Sequence, residues 1–418
     1  MTEQLFQFIW QFQYFNKDSL DTTTGETIQI KHPGTLNTNQ GPDFMNAKVK
    51  IGNTLWAGSV ELHLKTSDWD KHKHTTDKNY RNVILHVVYE NDNAANDIPT
   101  LELETRISHS LLNRYAELMA SQAFIPCENM IATVPKITVE TWKDRLIAER
   151  LTRKSEIIFE YLQQNNRHWE ESFWWMLAKN FGSKVNGEAF EAIAKSIPQN
   201  ILAKHKNSLQ QIECLLLGQA GLLIGNFTDP YPVMLQKEYK FLKEKYQLSE
   251  SKIPVHFLRM RPGNFPTVRL AQLAALIQNS VHLFSKIIEA ESLADVRKFF
   301  VVDANDFWHY HYKLDDESVY KPKTMGAATI ENLIINTVVP IVFAYGSAHQ
   351  NQTLKEKALQ WLSEVSAEKN SITKGFLKIG VNVQNAFDSQ SLIELKNQYC
   401  TYKKCLRCAI GSSLLKKI

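Results

Sequence analysis

Apolar residues at Leu5, Phe8, Ile9, Phe12 and Phe15 recur at helical spacing, so the chain is predicted to open on an amphipathic helix over 5–15. A polar turn over 18–25 ends it. Short apolar or alternating runs at 27–30, 47–51, 60–64, 83–89 and 101–104 read as strands, with a short helix or loop over 69–80. The intervening HPGTLNTNQGPDF (32–44) is dense in Gly, Pro and Asn, which predicts irregular, exposed backbone of the kind that often carries function. After residue 110 the period lengthens. LLNRYAELMA is followed by a helix over 141–164 with Leu146, Leu151, Ile157, Ile158 and Leu162 along one stripe. Further helices are predicted over 169–181, 187–196, 208–223, 234–246, 268–290, 292–299, 329–345 and 352–365. SITKGFLKIG (371–380) reads as a loop or short extended piece, and Ser389 is placed to cap a helix over 390–399.

This pattern predicts an α+β protein: a small mixed α/β domain over 1–108, a connecting segment over 109–140, an all-α domain over 141–370 and a C-terminal segment over 371–418. Without a low-complexity linker, these parts are expected to pack together and not be tethered. A chain of 418 residues with 44% hydrophobic and 22% charged residues supports a large core and excludes a disordered or fibrous class. The net charge of +4 permits a nucleic-acid partner without requiring one. The opening MTEQLFQFIWQFQYF lacks a basic leader region, and no run of about 18 apolar residues occurs, so neither a signal peptide nor a membrane span is expected. Five unevenly spread cysteines argue for reduced thiols or metal ligands, and hence for a cytoplasmic protein.

The stretch Gly41 to Trp69 concentrates candidate chemistry. In a strand over 60–64, Glu61, His63 and Lys65 share one face, while Val60, Leu62 and Leu64 form the face expected to be buried. Asp43 lies one strand and a turn upstream, so its carboxylate can return toward Glu61. Two oxygen ligands suit Mg²⁺ or Mn²⁺, with His63 or Lys65 assisting an attacking water. Asp68, His72, His74, Asp77 and His86 follow closely, so a second version is open: Glu61, His63, His72 or His74, and Asp77 around Zn²⁺, Mn²⁺ or Fe. His86, in the apolar run VILHVV, suits a hydrogen-bonded core role.

Gly-Pro-Asp followed by Glu-x-His resembles the PD-(D/E)xK nuclease superfamily over about the first 108 residues. The resemblance implies that Asp43 is the motif aspartate and Glu61 the second acid. His63 stands where that superfamily usually has lysine, and Lys65 on the same face is placed to take that role. As a whole the chain is also identified as a member of an uncharacterised bacterial family of unknown function, through NTNQGPDFMNAKV, WAGSVELH, SDWDKH, NVILHVV, RPGNFPTVRLAQLA, INTVVP and YC-x₄-C-x₂-C.

Cys400, Cys405 and Cys408 follow a predicted helix at C-x₄-C-x₂-C spacing, and Cys127 stands on a loop in FIPCE. Together they make four thiolates, a set that suits Zn²⁺ or an iron–sulfur cluster and would staple the C-terminus back to the domain junction. The arrangement also resembles iron–sulfur members of the same nuclease superfamily. Cys214 reads as core. Arg259, Arg261 and Arg269 flank a Pro/Gly/Asn loop before a helix, where phosphate binding and helix-tying are equally open. The sequence thus points to a metal-dependent nuclease or phosphodiesterase with Asp43 and Glu61 as ligands. The alternatives are a non-catalytic nucleic-acid-binding or scaffold protein on a degenerate nuclease-like fold, and a His/carboxylate metal hydrolase.

Overall fold

Helix α1 (Glu3–Phe12) forms where the apolar spacing predicts it. Thr2 Oγ1 accepts the Leu5 amide at its start, and Leu5, Phe6, Phe8, Ile9 and Trp10 are buried. The computed structural model describes residues 1–92, 97–249, 251–258, 260–280 and 282–416. Strands follow at β1 (Ile28–His32), β2 (Thr35–Leu36), β3 (Phe44–Ile51), β4 (Thr54–Lys65), β5 (Val83–Glu90) and β6 (Thr100–Glu102). They make one mixed sheet in the order β1-β3-β4-β5-β6, with β2 on β3. β1, β3 and β4 are antiparallel neighbours, whereas β5 runs parallel to β4 and β6 parallel to β5. A parallel neighbour requires a crossover, and the segment holding α2 (Asp68–Lys71) supplies it.

Two local features set the register around the future site. The β3/β4 ladder slips between Phe44 and Ala47, and Asn46 there adopts the left-handed region (φ 59°), a bulge that re-aims the strand start just after Asp43. On β4, a Cβ at Gly58 would lie 2.5 Å from Ile84 Cγ2 and 2.6 Å from the Asn82 carbonyl, so only glycine permits this approach of β4 to β5.

The expectation of one buried face on β4 is corrected: Val60 and Leu62 are fully buried, but Glu61 and His63 are only 5% and 2% exposed. The second face is covered because the crossover folds Trp69 and His74 over it. The predicted loop over 371–380 is a helix, Ser371–Lys378. Asn370 Oδ1 caps it by accepting the Ile372 and Thr373 amides, and Thr373 and Phe376 form its buried face. Ser389 caps nothing, since the helix already starts at Ala386, with Asn385 Oδ1 accepting the Asp388 amide. The single helix expected over 268–290 is two, Pro266–Asn279 and Leu283–Glu289, because Ser280 leaves the helical region and His282 is left-handed. At 57% helix and 12% strand the protein is α+β.

The chain forms two compact units. Residues 1–142, 378–380 and 395–418 make the first, and 143–377 and 381–394 the second. The connecting segment, set apart in the sequence, falls in the first unit, while the C-terminal segment is divided, with 371–377 and 381–394 in the second. In the first unit α3 (His109–Ala120) packs on the helix Ala409–Lys416, and Arg114 donates to the Leu414 carbonyl.

The second unit is helical around a core that includes Phe190, Phe300, Trp308 and Trp361, all essentially inaccessible. The continuous helical stretch Ala327–Ala348 is long and apolar enough to cross a membrane by length and composition, yet 61% of its most apolar window is buried within the protein. Glu213 is fully buried and accepts from Tyr231 Oη and Trp308 Nε1. Burial pushes its carboxyl up to about 7, against the pull of those two hydrogen bonds. The folded chain therefore holds a proton that the unfolded chain releases near pH 4.5. This contribution is full below that value and is lost as pH rises through about 7, so stability falls across the window by at most roughly 3 kcal/mol. Glu213→Gln, which stays neutral, is expected to flatten that slope in denaturant unfolding between about pH 5 and about pH 8. An unchanged slope would refute the assignment.

Candidate metal centre

Asp43 and Glu61 are brought together by β3 and β4. The Asp43 amide donates to Glu61 Oε2 at 3.0 Å, and the Leu62 amide donates to Asp43 Oδ2 at 3.1 Å, so each carboxylate is anchored on the other's strand. Gln7 of α1 donates to Asp43 Oδ1 at 2.8 Å. Burial raises both carboxyls above their ordinary values. The charge of Asp43 raises Glu61 further, and that of Glu3 adds to both. Glu61, pushed up to about 9, holds its proton at neutral pH, whereas Asp43, raised to about 6, gives its proton up there. A divalent cation would reverse the preference of Glu61.

The remaining oxygen, Glu61 Oε1, faces histidines. It lies 3.6 Å from His63 Nε2 and 3.4 Å from His74 Nε2. His63 Nε2 is also 3.0 Å from His72 Nδ1. Around a tetrahedral ion with bonds of about 2.0–2.1 Å, adjacent ligand atoms stand roughly 3.3–3.4 Å apart, and these three separations bracket that edge. One ligand atom from each of His63, His72 and His74 lies within 4.8 Å of the other two. His72 and His74 can face one centre because Lys73 between them is left-handed (φ 60°), turning the chain between α2 and the single turn His74–Thr76.

His86 lies directly behind His63. It sits on β5 opposite Glu61, fully buried, with Nε2 2.9 Å from His63 Nδ1. If His63 Nε2 is a ligand, Nδ1 carries the proton and donates to His86, the outer hydrogen bond that orients a ligating imidazole. Burial holds His63 down to about 3 and His86 to about 4, and lowers His74, with the neighbouring imidazoles adding to the effect. All three rings are therefore neutral, the form that ligates.

The fit of these residues to an ion rests on His74 Nε2. It is buried without a hydrogen-bond partner and lies within the cluster. Trp69 and Tyr80 cover the rings: Tyr80 stacks on His74 with centroids 3.7 Å apart, and Trp69 stands edge-on to His63 and His74. His72 is exposed, so the cluster opens to solvent on that side. A cleft of about 410 Å³ lined by Trp69, His74, Asp77, Tyr80 and Arg81 adjoins it. The larger cavity, about 720 Å³, lies in the helical unit and includes none of these residues.

Other sequence candidates stand elsewhere. The Lys65 ammonium is half-exposed and pairs with Glu90 at 3.2 Å, because β4 ends there and the side chain leaves the buried row. Asp77 caps the turn Lys78–Tyr80 by accepting the Asn79 amide. Arg269 is tied to Gln272 and Asn264, Arg261 is exposed, and Arg259 lies outside the described residues. Cys127, Cys400, Cys405 and Cys408 gather within the first unit, apart in sequence but within electrostatic reach of one another.

No curated protein matches the chain at significance, and neither does any solved structure. A family model described as a protein of unknown function matches residues 3–371, which includes every residue of the histidine cluster and stops short of Cys400, Cys405 and Cys408. The chain therefore belongs to the DUF2851 family.

Proposed function

We propose that this protein is a metal-dependent hydrolase of phosphodiesters, with Glu61, His63, His72 and His74 as the donors to the ion. The observation that carries this reading is the buried, unpartnered His74 Nε2, 3.4 Å from Glu61 Oε1 and within the cluster of His63, His72 and His74. The imidazole-rich set suits Zn²⁺, and also Mn²⁺ or Fe²⁺. Mg²⁺, which demands oxygen ligands, suits it least. The bound ion would polarise the phosphoryl oxygen and acidify a water. Asp43, the second carboxylate, is the acceptor for that water's proton. Water adds to phosphorus, its proton passes to Asp43, and the ester P–O bond breaks with the leaving oxygen protonated from solvent.

Nucleic acid is the proposed substrate. Asp43 at the head of one strand and Glu61 on the next, followed by a crossover into a parallel strand, give the order that the nuclease resemblance implies. Five free cysteines are consistent with a reducing, cytoplasmic setting.

The test is cleavage of bis-p-nitrophenyl phosphate and of labelled DNA and RNA by protein stripped with a chelator and reloaded with Zn²⁺, Mn²⁺ or Mg²⁺. Activity restored by Zn²⁺ or Mn²⁺ is expected. Asp43→Asn should lower turnover by about 10²–10⁴-fold while keeping the metal, whereas Glu61→Gln should lose the metal. A stripped and reloaded protein that binds nucleic acid without cleaving any of these substrates would favour the scaffold alternative.

A further inference from the structure

Three segments converge on the four cysteines of the first unit. Cys127 lies in the loop after α3, Cys400 ends the wide helical turn Leu395–Cys400, and Cys405 and Cys408 flank a short turn leading into the helix Ala409–Lys416. Side chains other than the cysteines hold these segments together. The Lys396 ammonium donates to the Phe124 carbonyl at 2.6 Å and lies over the Phe124 ring, while Lys403 donates to the Met119 carbonyl. Gly411 lets the last helix close down on the turn, since a Cβ there would stand 2.3 Å from the Cys405 carbonyl oxygen. Cys127, Cys405 and Cys408 are each 7% exposed, and none of the chain's cysteines is in a disulfide.

We propose that Cys127, Cys400, Cys405 and Cys408 form a four-thiolate centre for a thiophilic metal, either zinc or the iron of an iron–sulfur cluster, separate from the histidine cluster. Four is the number of thiolates that both kinds of centre use. Against burial, which raises it, the Cys408 thiol is pulled toward the thiolate by the Ile410 and Gly411 amides near its sulfur. Burial meanwhile keeps the thiols protonated without a metal, pushing Cys127 and Cys405 up to about 12. On loading, each ligating thiol gives its proton to solvent and the metal takes the sulfur lone pair. The centre would fasten the Cys127 loop to the C-terminal segment.

The experiment uses the full chain carrying His74→Phe, so that metal at the histidine cluster does not contribute, purified without oxygen or chelator. Zinc, iron and acid-labile sulfide are measured per chain, and free thiols are titrated in denaturant with and without a chelator. The proposal expects about one zinc, or iron with matching sulfide and broad visible absorption. Four of the five thiols should react only after metal is removed. Cys405→Ser should lose that metal, whereas wild-type activity on phosphodiesters, if found, should survive in Cys405→Ser. All five thiols reacting at once with no metal retained would overturn the proposal, as would disulfides among the four or a Cys405→Ser chain holding as much metal as its parent. If Cys405→Ser fails to fold, the thiol and metal counts on the parent chain decide the matter.

Discussion

Replacing His74 by phenylalanine is expected to abolish metal-induced stabilisation while leaving the metal-free protein as stable as before, or more so. The phenyl ring keeps the stack on Tyr80, whose centroid lies 3.7 Å from that of His74. It removes a buried nitrogen that has no hydrogen-bond partner, and such a group costs about 1–3 kcal/mol where it stands. A histidine kept for packing would therefore give a neutral or favourable change at every metal concentration. A ligand gives two results of opposite sign. Wild type at a metal concentration of about 100 times Kd gains about 2.7 kcal/mol, whereas the variant, having lost one donor, gains close to nothing at the same concentration. Thermal unfolding of both chains across a Mn²⁺ titration, after chelator treatment, measures this without loading a thiolate centre. Equal shifts for the two would remove His74 from the donor set.

The second large effect concerns the cover. Trp69 is 6% exposed, donates from Nε1 to Thr75 Oγ1, and packs against His63, His74, Tyr80 and His86. Trp69→Ala deletes the largest apolar group over the cluster, so a loss of about 3–5 kcal/mol from the first unit's unfolding transition is expected. The neutral state of His63 and His86 depends chiefly on burial. Letting water in should raise their proton affinity and weaken metal binding at mildly acidic pH. Trp69→Phe, which retains most of the ring area but not the Thr75 hydrogen bond, should restore most of the stability. Denaturant unfolding together with histidine titration by NMR checks both parts. A Trp69→Ala chain whose histidines titrate as in wild type would contradict the burial argument.

These residues show what the amino-acid pattern can convey. Asp43, Glu61 and His63 were legible because strand alternation and one hairpin's length bring them together, and α1 and the strands were legible from apolar spacing. That His72 and His74 face one centre was only half legible. Their density was visible, but their common aim depends on a left-handed Lys73, a backbone state that lysine rarely adopts and sequence does not announce. Burial of both faces of β4 was not legible, because the cover comes from a crossover whose short turns leave little periodic signal. Lys65 was placed on the right face but one step too far along it, where the strand ends and Glu90 is the nearer partner. The helix Ser371–Lys378 was hidden by Gly375 in its middle, which reads as a break unless Asn370 is recognised as the cap.

We propose that an ion is held between Glu61 and three histidines. Anomalous diffraction from crystals of the Zn²⁺-loaded protein, collected on both sides of the zinc edge, tests it most directly. A peak is expected about 2.0–2.2 Å from Glu61 Oε1, His63 Nε2, His72 Nδ1 and His74 Nε2. Absence of a peak at that position in crystals that show zinc elsewhere would contradict it, as would a peak there that contacts none of these four atoms.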